Sequence, residues 1–105
     1  MTDKPVDVNM FVTTLMDYAY GSVKRAFDGL TDEQLHHQPT PDSNSMAWLA
    51  WHLNRWKDRQ SALATGDEEV WISSGWGEKF GMPADRTGLG DTSEQVSEFK
   101  PSQEL

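Results

Sequence analysis

Apolar residues recur at spacings of three and four along residues 8–28, "VNMFVTTLMDYAYGSVKRAFD". Val8, Phe11, Val12, Leu15, Ala19, Val23, Ala26 and Phe27 fall on one side of a helical projection. The pattern predicts a long amphipathic helix that stops at Gly29. Gly21, inside it, costs about 1 kcal/mol relative to alanine. In the following stretch, "LTDEQLHHQPTPDSNS", Thr31 and Gln34 have capping-box spacing, which predicts one short helical turn. Pro39 and Pro41 close that segment. Asp42, Ser43, Asn44 and Ser45 are all good N-caps, so a second long helix is predicted from about residue 44 to Thr65, stopped by Gly66.

Met46, Leu49, Leu53, Trp56, Gln60 and Leu63 read as the inner stripe of that second helix. At about 100° per residue, His52 sits roughly 60° to one side of Leu49, on the margin of the stripe. Trp51 falls on the opposite side, and the periodicity gives no reason for it. The two long helices are expected to pack antiparallel. Leu15, Val23, Leu49, Leu53 and Trp56 should then be shielded by that packing or by partner chains.

Residues 67–92 keep no period and carry five glycines and a proline. Long irregular segments in compact domains are usually functional or disordered. Trp71, Ile72, Trp76 and Phe80 argue for order, because bulky apolar groups pack somewhere. Thr92 and Gln95 repeat the capping-box spacing and predict a short helix over 93–99. The final "PSQEL" has the composition of a helix start. Two long helices also leave apolar stripes to be covered from more than one side. The chain therefore reads as a single domain over 1–105 that breaks off where a third bundle helix begins, or as one that dimerises.

Composition narrows the function. The chain has 105 residues and no cysteine, which excludes disulfides, thiolate metal sites and a cysteine nucleophile. The net charge is −8; residues 66–105 hold nine acidic and three basic groups. Such a chain lacks the basic stripe that binds nucleic acid. No run approaches the roughly 20 apolar residues of a membrane span, and no signal peptide is visible. The expected setting is cytoplasmic, and the expected partners are a small-molecule substrate and a second copy of the chain, with neither nucleic acid nor membrane.

Chemistry concentrates in "AWLAWHLNRW", where His52 stands among three tryptophans. An imidazole on an apolar margin is commonly a half-buried residue bonded to a backbone carbonyl or a neighbouring side chain. A metal centre needs three or four converging His or carboxylate ligands. His36 and His37 are the remaining histidines, adjacent on a turn and so pointing different ways. Arg55 and Arg59 lie four apart on the flank of Trp48 and His52. They read either as a solvated flank balanced by Asp58 and Asp17 or as an anion-binding rim.

The segment "GLTDEQLHHQPTPDSNSMAWLAWHLNRWKD" resembles the DinB/YfiT-like superfamily of metalloenzymes. The shared features are the long first helix, "GLTDEQL", the proline-bearing connector, its Ser/Asn cap and the "WLxWHL" of the second helix. The later "W…GWGEKFGMP" resembles an actinobacterial branch that includes mycothiol-dependent transferases. The resemblance runs from about residue 10 to the end. It implies an all-α, up-down four-helix bundle, here represented by the first two long helices, a long loop and short helices. It also implies a divalent metal, zinc or nickel, held by three histidines. One of these matches His52; the other two form an H-x-x-x-H pair that this sequence does not contain. The implied activity is transfer or isomerisation with a low-molecular-weight thiol. Trp48, Arg55 and Trp76 are candidate pocket residues by position. A non-catalytic helical binding module without the metal is the competing reading.

Overall fold

The computed structural model describes residues 5–102. All its regular structure is helical, with no strand among the described residues. The described residues fall into two compact units that part after Leu30.

The first unit is one helix, α1 (Val8–Phe27). It starts where predicted because Asp7 caps it, Oδ1 accepting from the Met10 amide at 3.1 Å. Lys24 and Arg25 occupy the last turn, where cations complement the carbonyl end of the helix dipole. No residue of α1 is buried. Within this unit Leu15 is 53% exposed and Val23 is half-buried.

The second unit is built on α3 (Met46–Thr65), with α2 (Asp32–His36) and α4 (Val70–Ser73) packed against it. The short helices α5 (Trp76–Phe80) and α6 (Ser93–Glu98) complete it. Both predicted capping boxes form. Thr31 and Gln34 exchange hydrogen bonds at the start of α2, and Thr92 and Gln95 do so at the start of α6. Of the four candidate caps for the second long helix, the chain uses Ser45, which is 1% exposed and accepts from the Trp48 amide. Gly66 ends α3 with φ of 77°, a left-handed conformation that suits glycine at this position.

Within this unit the packed side of the helix differs from the predicted inner stripe. The buried residues of α3 are Ala47, Trp48, Trp51 and Arg55. Leu49 and Leu53 are half exposed, and Leu63 more so. The side of α3 that packs within this unit is therefore the one marked by Trp51. Its cover is the glycine-rich segment that showed no period, which contains α4, α5 and a stretch of turns. Trp51, Trp71, Phe80 and Phe99 close a four-membered aromatic ring with successive centroid distances of 6.1, 5.2, 6.0 and 5.0 Å. Leu35, Ala47, Trp48 and Val96 complete the buried core. A segment whose apolar groups are few but aromatic can cover a helix without periodicity, because each ring buries a large area.

No helix among the described residues is long and apolar enough to cross a membrane. Pro101 and Ser102 are not helical. The remainder of "PSQEL", on which the expected start of a third bundle helix falls, lies outside the described residues.

Candidate functional site

Helical spacing places Trp48, His52 and Trp56 one turn apart along α3, with Trp51 and Arg55 beside them. The His52 ring stacks on Trp48, with centroids 4.7 Å apart and planes 21° from parallel. Trp56 meets it edge-on, at 6.2 Å and 76°. Both imidazole nitrogens are engaged. Nδ1 lies 2.6 Å from the carbonyl oxygen of Thr87. Nε2 lies 3.2 Å from the indole Nε1 of Trp56. A carbonyl only accepts and an indole N–H only donates. The two contacts therefore agree on one state: a neutral ring, with the proton on Nδ1 and the lone pair on Nε2.

The carbonyl arrives on a turn that lies flat on α3. Thr87 and Gly88 are buried. A Cβ at Gly88 would stand 2.6 Å from His52 Nδ1 and 3.0 Å from both Trp48 Cζ2 and Trp51 Cζ3. The φ of Gly88 is 94°. Close approach and backbone conformation thus both require glycine here. Asp91 pins the turn down. Its Oδ2 accepts from Trp48 Nε1 at 3.0 Å and from Arg86 Nη2 at 2.7 Å, and the Arg86 guanidinium lies 5.4 Å from the Trp51 ring. Burial pushes the Asp91 carboxyl up. The hydrogen bonds from Arg86 and Trp48, with the Arg86 charge, outweigh that and hold it below the usual carboxylate value.

Arg55, which the charge pattern placed on either a solvated flank or an anion-binding rim, is 2% exposed. Its Nε donates to the Arg86 carbonyl at 3.0 Å, and its Nη1 donates to Glu69 at 2.7 Å. The guanidinium also lies 4.8 Å from the Trp71 ring. Asp58, expected to balance this charge, is 3.8 Å away. Its carboxylate is chiefly occupied in accepting the amides of Val70 and Trp71 at the start of α4. Arg59 is exposed. Trp76 is half-buried and meets Phe80 and the ammonium of Lys79. The structure thus brings Trp48 to His52, sets Arg55 one turn away inside its own ion pairs, and gives Trp76 a place among different aromatics. His36 Nε2 donates to the Pro101 carbonyl, and His37 is exposed.

Thr87, Gly88, Asp91 and Arg86 were not singled out in the sequence. "DRTGLGD" contains two glycines within four residues and a flanking Arg and Asp. Read along the chain, that is turn chemistry; the part these residues play appears only when the turn meets α3.

No group of three or more His, Asp or Glu residues able to hold a metal exists among the described residues. His52 has the orientation typical of a metal-bound imidazole, with its far nitrogen bonded to a carbonyl. Its Nε2 lone pair, however, accepts from the Trp56 indole, and no second ligand stands beside it among the described residues. The described residues do not make up a metal's ligand set.

These features define an all-helical protein whose central helix carries one oriented imidazole beneath a glycine turn. A family model described as the DinB superfamily matches residues 15–101, and the chain belongs to that superfamily. No curated protein matches it.

Proposed function

We propose that the chain supplies Nε2 of His52 as one ligand of a divalent metal site, zinc or nickel. The remaining ligands come from outside the described residues. The assembled protein is then a metal-dependent transferase or isomerase acting with a low-molecular-weight thiol. The observation that carries the ligand assignment is the bond from His52 Nδ1–H to the Thr87 carbonyl, which commits Nε2 to the lone-pair role. The thiol chemistry rests on the resemblance of the "GWGEKFGMP" segment to thiol-dependent transferases.

In this reading the chain's own residues have limited tasks. Thr87 orients the imidazole, Trp48 supports its face, and Trp56 caps its lone pair until a ligand displaces the indole. Trp48 lines the approach to His52. Arg55 holds the covering segment in place and does not itself reach the imidazole.

Metal analysis tests the proposal. Protein isolated from its native host should carry zinc or nickel stoichiometrically, and His52→Ala should abolish the binding with helicity retained. The 105-residue chain alone should bind weakly, because one imidazole cannot repay the ion's lost hydration. Metal content unchanged by His52→Ala would overturn the assignment. That outcome belongs to the second reading, a non-catalytic helical binding module. The specific observation favouring the module is that Trp56 already satisfies Nε2.

A further inference from the structure

We propose that Asp91 is a positioning residue for His52, fixing which nitrogen of the imidazole is available to a ligand. The free side chain in water favours the opposite tautomer, with its proton on Nε2. Something in the fold must therefore reverse that preference, and the Thr87 carbonyl at 2.6 Å from Nδ1 does so. A carbonyl on a surface turn is a weak device unless the turn is held. Here Asp91 holds it from both sides. Its Oδ2 accepts from the Trp48 indole N–H on α3 and also from the Arg86 guanidinium at the start of the turn. Trp48 is also the ring on which His52 stacks. A single carboxylate, 5% exposed, thus registers the support of the imidazole and the acceptor behind it against each other.

Gly88 makes the registration tight, because no other residue fits between the turn and the three rings of Trp48, Trp51 and His52. The Trp56 indole reports the result on the far side, since it can donate only to a bare Nε2. The assignment of Asp91 extends the proposed ligand role of His52, and rests on it for its purpose. The tautomer itself exists with or without a metal.

Long-range proton–nitrogen NMR correlation on the 105-residue chain reads the tautomer directly, at a pH where the ring is neutral, with His52→Gln to assign its signals among the three histidines. The wild type should show a protonated Nδ1 and a lone-pair Nε2. Asp91→Ala should make the two nitrogen shifts converge as the tautomers mix. Asp91→Asn should converge them less, because its amide oxygen still accepts from Trp48. A wild-type ring protonated on Nε2 would overturn the proposal. So would Asp91→Ala with unchanged shifts and unchanged helicity. Should Asp91→Ala lose helicity, Trp48→Phe decides: it keeps a ring under His52 but removes the donor to Asp91. Partial convergence then supports the role and unchanged shifts overturn it. Unchanged shifts alongside metal binding that depends on His52 would remove only Asp91's role. Convergent shifts alongside metal content indifferent to His52 would remove only the metal assignment.

Discussion

Arg55 Nη1 lies 2.7 Å from Glu69 Oε1 while the same guanidinium faces the Trp71 ring at 4.8 Å. One side chain therefore ties α3 to the segment that covers it by an ion pair, a carbonyl bond and a cation–π contact. Arg55→Ala would strand Glu69 and open a void against Trp71, at a cost of about 3–5 kcal/mol. Glu69→Gln keeps an acceptor and should cost about 1 kcal/mol. Urea unfolding of both variants checks the ordering; equal losses would show that the charge of Glu69, rather than the packing of Arg55, dominates.

The start of α4 is capped from a distance. Glu69, its N-cap residue, makes no side-chain cap because it is held by Arg55, and Asp58 of α3 takes the amides of Val70 and Trp71 at 2.9 and 2.8 Å instead. Asp58→Ala should destabilise by about 1–2 kcal/mol and shift tryptophan emission to the red as Trp71 gains water. An unshifted spectrum would mean that α4 stays docked without its cap.

Trp51 and Leu53 separate the two sides of α3. Trp51→Ala, which removes one of the four packed aromatic side chains, should cost about 3–5 kcal/mol. Leu53→Asn, at a half-exposed position, should cost less than about 1 kcal/mol. Reversed costs would restore the leucine stripe as the working core. Self-association of two copies through that leucine side is a separate proposal. Sedimentation tests it, with Leu53→Asp expected to favour the lighter species if the leucines are the contact.

Asp91 makes stability depend on acid. Its folded carboxyl titrates below the ordinary value of 3.8. The folded state therefore binds its proton less readily than the unfolded state does. Its contribution is fully present above the ordinary value and is lost as pH falls through the lower folded value. Asp91→Asn should be less stable than wild type at about pH 6, and the gap should narrow toward about pH 3. A constant gap in urea midpoints across that range would show that the carboxylate charge is not what the turn uses.

Much of the secondary structure was legible because its signals are local. Asp7, Gly66, and the Thr31–Gln34 and Thr92–Gln95 pairs satisfy or terminate helix ends using groups within a few residues. His52 could be chosen from its place on a helical margin, and one of the two roles weighed for it, bonding to a backbone carbonyl, is seen. The packing side of α3 was read from the leucines, because a period of 3.6 marks apolar positions without saying which neighbour will reach them.

The sequence by itself determined that this protein is helical, where its two long helices start and stop, and that one helix carries a histidine among tryptophans. Those properties depend on capping groups and periodicity, which act over one or two turns. Only the tertiary structure decided that Trp51 and Arg55 face inward, that Thr87 stands behind His52 while Asp91 bonds Trp48, and that the imidazole carries its proton on Nδ1. Those outcomes depend on contacts between residues 31 and 43 positions apart, such as Arg55 with Arg86 and Trp48 with Asp91. Their partners are chosen by the shape of a folded aperiodic segment, and shape of that kind leaves no period in the chain.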